Sequence, residues 1–234
     1  MTADKRLKVW DKGGFYNEIH GNANGYVVIF NRSFERNLVE VFGLNPNEAK
    51  KLTKKAKRDI KKLSQKLPEF EKKDRFKMNI VNCAMLSAFL LNVKEAGKLP
   101  SVEKVTEYYK NAMMIPAMQW FCRKSGKKKY SASDIKSMKE TAKLRAGDRN
   151  PYSWNMDFYE YADGSGYEAR FTACGICTLM TELGLQNEIP AMCRLDYTMS
   201  EAGSVTNFVR EYTLASGGPY CDCGYKKNSK ISIQ

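Results

Sequence analysis

The sequence holds one histidine, His20, so any site that needs two imidazoles is excluded. A Ser-His-Asp or Cys-His system would have to be built on that residue alone, and its Gly- and Asn-rich surroundings read as a surface position. Phosphate-binding glycine loops are missing too: neither GxGxxG nor GxxxxGK followed by Ser or Thr occurs. No long apolar run is present. The most apolar stretch, Ile80 to Leu91, is broken by Asn82 and Ser87, well short of the roughly 20 residues a bilayer span needs. The first residues, Met1 to Lys8, are charged and have no apolar core, unlike a secretory signal. These absences predict a cytoplasmic chain with no membrane partner.

What is present suits a globular protein. The chain has 234 residues, 43% of them hydrophobic, which is enough to bury a core without covalent staples. Lys and Arg number 39 against 26 Asp and Glu, a formal net charge of +13. Much of that charge lies between Ala49 and Met78, where 13 basic residues face 4 acidic ones. A basic run invites a polyanion reading. Leu52, Ala56, Ile60, Leu63 and Leu67, however, follow at spacings of three or four, one stripe of a helix. No aromatic residue is interleaved before Phe70, so the run offers no platform to stack a base. The run reads as the solvated face of an amphipathic helix, and no nucleic-acid partner is expected.

Three stretches follow from the pattern. Residues 1–45 form an extension without a clear architecture, holding an apolar Gly25–Phe30 segment and a short helix from Ser33 to Phe42. Residues 46–147 are helical: the basic helix opening at Pro46, an apolar helix from Phe76 to Val93, one capped by Ser101 and one from Ser133 to Leu144. Lys124 to Lys129 reads as a loop. Residues 148–234 change character, and with the helical part they are expected to make one compact domain. Trp154, Met156 and Phe158 alternate as a strand, Asp163–Gly166 turns, and Tyr167 to Ala173 returns. Helices from about Gly175 and Asn187 come next. Thr206 to Leu214 then reads as a third strand with Arg210 on the face of Phe208 and Tyr212, and Tyr220 to Lys226 as a fourth. The order ββααββ predicts an α+β fold: a helical N-terminal half, then a small antiparallel sheet with helices packed on one face.

Seven cysteines are an odd number, and in a chain without a leader they read as thiols before disulfides. Cys83 and Cys122 fall in helical sequence and read as core residues. The other five gather from Cys174 onward. Cys174-Gly-Ile-Cys177 sits where a strand passes into a helix, so a thiol lies at a helix N-terminus, where free N–H groups favour a thiolate. Cys193 and Asp196 share a helix face beside Tyr197. Cys221 and Cys223 point one way along a strand and Asp222 the other, just after Gly217-Gly218. Two chemistries fit this set. One is a thiolate nucleophile with carboxylate partners. The other is a metal-binding or redox-sensing module without turnover, with Cys174, Cys177, Cys193, Cys221 and Cys223 as the ligand candidates.

The C-terminal half resembles the L-2-amino-thiazoline-4-carboxylic acid hydrolase family. The resemblance is carried by Asn150-Pro-Tyr-Ser-Trp154, Cys174-Gly-Ile-Cys177 followed by Glu182-Leu-Gly184, Cys193-Arg-Leu-Asp-Tyr197, Arg210-Glu-Tyr-Thr-Leu-Ala215 and Gly217-Gly-Pro-Tyr-Cys-Asp222. Cys83-Ala-Met-Leu86 and Glu103 to Tyr109 are similar to its helical part. Where the family usually has an aromatic residue after the Cys-Asp pair, this chain has Cys223. The resemblance implies a hydrolase that opens a small cyclic amidine-like ring, adding water at the carbon between sulfur and nitrogen. The expected catalytic residues are Cys174, Cys193, Asp196, Cys221 and Asp222. Arg210, Tyr197, Gly217 and Gly218 are expected to bind the small-molecule substrate, Arg210 through a substrate carboxylate. No cofactor is required, a divalent metal stays open, and so does a homo-oligomer.

Overall fold

The computed structural model describes residues 23–64, Leu67 and 76–228. They fall into two compact units. One contains the described residues up to Met113 together with Leu179–Ala191; the other contains Met114–Thr178 and the described residues from Met192 onward.

The first unit is helical. Helix α1 runs Ala23–Glu40, α2 Pro46–Ser64, α3 Lys77–Glu95 and α4 Val102–Met113. Phe30, Phe34, Leu38 and Val41 recur at spacings of three and four and are all buried. That stripe makes one helix from Ala23 where the sequence pattern gave an apolar segment and a separate short helix. Gly43 closes the turn that follows at φ 70°, a backbone region open to glycine. Along α2 the expected stripe is buried: Leu52, Ala56, Ile60 and Leu63, with Leu67 beyond it. Lys50, Lys51, Lys54, Lys57 and Arg58 are exposed. Helix α3 is buried on nearly every side, and Phe89 stacks on Phe34 at 4.8 Å.

The second unit carries the sheet. Helices α5 (Pro116–Gly126) and α6 (Ala132–Ala146) precede strands β1 (Trp154–Glu160) and β2 (Gly166–Cys174). The sequence left Pro116–Arg123 unassigned and read a loop from Lys124. Instead, helix α5 extends to Gly126, with Pro116 pre-set for its first turn. Gly126 lets it pass close to a neighbour, since a Cβ there would lie 2.8 Å from the Gly203 carbonyl. Helix α7 (Gly175–Glu182) starts directly after β2 and α8 spans Ile189–Gly203, each passing from one unit into the other. Strand β3 is short, Thr206–Val209, and β4 is Cys221–Lys227. The expected third strand therefore stops before Arg210, and the chain leaves the sheet there.

The four strands are antiparallel in the order β1-β2-β4-β3. Opposite Cys223 stands Ala169, and opposite Cys221 stands Phe171. Period-two alternation puts Tyr167, Ala169, Cys221 and Cys223 on the buried face and Arg170 opposite Asp222 on the other. Helix α6 packs along β1, and Tyr197 of α8 meets Phe208 of β3 edge-to-face at 4.8 Å. The architecture is α+β, as expected. Among the described residues no helix is long and apolar enough to cross a membrane.

Candidate active site

Cys174 is the last residue of β2, and its sulfur sits over the first turn of α7. Four groups donate to it: the backbone N–H of Ile176, the backbone N–H of Cys177, the Cys177 thiol and the Trp154 indole N–H. The thiol of Cys177 is the largest contributor, and together the donors outweigh burial to bring the Cys174 thiol down to about 7. Cys177 is pushed the other way, first by its bond to Cys174 and then by burial, so it stays a thiol and donates. The pair holds a thiolate beside a proton-bearing neighbour.

The surrounding sequence builds this arrangement locally. A Cβ on Gly175 would lie 2.0 Å from the Tyr152 carbonyl oxygen, so only glycine lets α7 begin this close to the preceding loop. That loop is held by the Asn150-Pro-Tyr-Ser-Trp154 segment. The Asp148 carboxylate accepts from the Asn150 backbone, and the Asn150 side chain accepts from the Tyr152 backbone at 2.9 Å. Arg145 donates to both Asp148 and Ser153. The loop in turn delivers Trp154, which pairs with Cys174 across β1 and β2.

A second group centres on Arg210. Its Nη2 donates to Asp196 Oδ2 at 2.6 Å and to Cys223 Sγ at 2.8 Å, and Nη1 donates to the Cys193 carbonyl at 3.0 Å. The guanidinium lies 4.6 Å from the Phe208 ring, and the side chain is only 6% exposed. Asp196 keeps 42% of its side chain accessible. Burial nevertheless raises its carboxyl above the ordinary range, against the opposing charge of Arg210. Burial pushes the Cys193 and Cys223 thiols up to about 12 and the Cys221 thiol up as well. Cys193 and Cys221 each feel the charges of both Cys174 and Asp196, so the two groups form one electrostatic cluster.

The remaining candidates lie around this cluster. Asp222 faces away from the thiols and accepts the backbone N–H of Glu211 at 2.8 Å and of Tyr212 at 2.6 Å. Gly217 adopts φ 78°, and the N–H groups of Gly217 and Gly218 bond back to Leu214 and Thr213. These contacts fold the 210–218 loop so that the Leu214 N–H reaches Cys221 Sγ at 3.2 Å. Tyr197 meets Phe208 edge-to-face. Among the described residues no group of three or more His, Cys, Asp or Glu is arranged to hold a metal ion, so the five cysteines do not converge as ligands. His20 lies outside the described residues. The pattern alone missed Trp154 as a donor to sulfur, because its alternation with Met156 and Phe158 marked it only as a strand residue.

A family model described as L-2-amino-thiazoline-4-carboxylic acid hydrolase matches residues 78–225. The matched span holds Cys174 with its donors, Asp196, Arg210 and the 210–218 loop. No curated protein and no solved structure matches the chain.

Proposed function

The chain belongs to the L-2-amino-thiazoline-4-carboxylic acid hydrolase family, and we propose that within it Cys174 is the nucleophile that opens the ring. Membership makes it a hydrolase acting on the carbon–nitrogen centre of a cyclic amidine. The observation that supports the assignment is the set of four donors around the Cys174 sulfur, which no other cysteine of the cluster has.

The chemistry runs as two transfers at one carbon. A basic cyclic amidine enters protonated, and its N–H groups donate to the free oxygen of Asp196. The Cys174 thiolate attacks the carbon between nitrogen and sulfur, and the C=N electron pair moves onto the ring nitrogen. The ring C–S bond then breaks, the sulfur leaves with its electron pair, and Asp196 carries a proton from the amidinium to it. What remains is an amidine carbon joined to Cys174. Water adds to that carbon, a proton passes through Asp196 to nitrogen, the carbonyl forms, and Cys174 departs as thiolate. One water is consumed, and the proton that entered with the cation is released. A carboxyl raised by burial suits this shuttling better than one at its ordinary value.

Arg210 acts as a positioning residue in this scheme. Three partners occupy its fork and it is nearly buried, so it orients Asp196 rather than meeting a substrate carboxylate. Cys193, Cys221 and Cys223 stay neutral and line the cluster without competing for the electrophile.

The test is mass spectrometry of the purified protein with aminothiazoline carboxylate and related cyclic amidines. We expect gain of one water by the substrate, a covalent adduct on the Cys174 peptide in rapidly quenched samples, and turnover lost in Cys174→Ala. Wild-type turnover by Cys174→Ala overturns the assignment.

A further inference from the structure

We infer that Cys174 and Cys177 form a peroxide-sensitive modification site, at which a hydroperoxide oxidises Cys174 and Cys177 closes a disulfide on it. That closure silences turnover rests on the proposed role of Cys174 as nucleophile; the disulfide itself does not.

Three observations carry the inference. The two cysteines lie a single turn apart at the entry to α7, Cys174 closing β2 and Cys177 in the first turn, and the Cys177 thiol is the leading influence on the Cys174 thiol, so the resolving thiol is its neighbour before any oxidation. The entry is closely packed, since Gly175 lies against the Tyr152 carbonyl and Thr178 Oγ1 donates to the Cys174 carbonyl at 3.4 Å. Two of the three competing thiols are occupied. Cys221 accepts from Leu214 and Cys223 accepts from Arg210, while Cys193 belongs to a different helix, α8. Cys174, Cys177 and Cys193 keep partial exposure, while Cys221 and Cys223 are buried.

The electrons balance as follows. The Cys174 thiolate attacks one oxygen of hydrogen peroxide, the O–O bond breaks, and hydroxide leaves; sulfur is oxidised to the sulfenic acid and peroxide is reduced. The Cys177 sulfur then attacks the Cys174 sulfur, its proton passes to the departing hydroxyl, and water leaves as the S–S bond forms. A dithiol reverses the product. Without Cys177 the sulfenic acid stays exposed to a second peroxide and passes to the irreversible sulfinic acid.

The experiment treats the full chain with a small excess of hydrogen peroxide and reads intact mass, peptide map and turnover before and after dithiothreitol. Expected for wild type are a loss of two hydrogens, a Cys174–Cys177 crosslinked peptide, turnover lost in step, and full recovery on reduction. Cys177→Ser and Cys177→Ala, each checked for fold by circular dichroism, should instead gain two oxygens on the Cys174 peptide and not recover. Absence of the crosslink, a disulfide through Cys193, Cys221 or Cys223, or equal recovery in the Cys177 variants overturns the inference. Mass reports the crosslink whether or not any substrate is turned over. A Cys174–Cys177 crosslink in the wild type, together with turnover intact in Cys174→Ala, overturns the hydrolytic role alone.

Discussion

The indole N–H of Trp154 donates to the sulfur of Cys174, joining the first residue of β1 to the last residue of β2. This contact ties the Asn150–Trp154 segment to the thiolate. Removing it in Trp154→Phe takes one hydrogen bond from a charged acceptor, the last in size of the donors that lower the Cys174 thiol, so the thiol's titration should rise modestly. In the wild type, alkylation of Cys174 should rise with pH through a midpoint of about 7, because only the thiolate reacts. In the variant the midpoint should move up. Peptide-resolved iodoacetamide rates measure both, and coincident midpoints would remove Trp154 from the thiolate's support.

Arg210 should behave as a residue that acts through Asp196. Arg210→Lys replaces a fork with a point charge and cannot keep all three contacts. We expect kcat to fall with little change in KM. A rise in KM alone would return Arg210 to substrate binding. Arg210→Gln removes the charge, so the Asp196 carboxyl should rise further, its one opposing influence gone. The stability lost should stay below the roughly 3–5 kcal/mol of a fully buried pair, because Asp196 keeps 42% of its side chain accessible. Urea unfolding of the variant gives that figure.

Asp222 should prove structural. Asp222→Ala leaves the Glu211 and Tyr212 N–H groups without their acceptor and loosens the loop that brings Leu214 to Cys221. A loss of about 1 kcal/mol is expected for contacts this exposed. Turnover should fall with it, and Asp222→Asn, which keeps one acceptor oxygen, should recover much of both. An Asp222→Asn protein of unchanged stability and no turnover would place the carboxylate in the chemistry.

Gly175→Ala should strain the entry to α7. The added methyl would overlap the Tyr152 carbonyl, a backbone atom that cannot swing aside. Overpacking of this kind costs roughly 1–3 kcal/mol. The displaced Ile176 and Cys177 N–H groups should also raise the alkylation midpoint of Cys174. Unfolding midpoints and alkylation rates that both match wild type would show that the close approach does not matter.

Much of this protein is legible in its sequence because the deciding forces are local. The stripe Leu52, Ala56, Ile60, Leu63 is set by the helix period, and the alternation of Cys221, Asp222 and Cys223 by the strand period. Cys174-Gly-Ile-Cys177 at a strand–helix junction likewise places a thiol at free N–H groups, since a helix start always leaves them unpaired. The tertiary structure alone decided the end of β3 and the partners of Arg210. Strand-forming residues continue past Val209, but Asp222 on β4 captures the Glu211 and Tyr212 N–H groups and draws the chain out of the sheet. Arg210 then turns to α8 and β4, and Trp154 reaches Cys174 only because β1 and β2 pair in one register. Periodicity reports which side of its own element a residue faces. Which donor meets which sulfur depends on the packing of elements distant in sequence, and no local pattern encodes that distance.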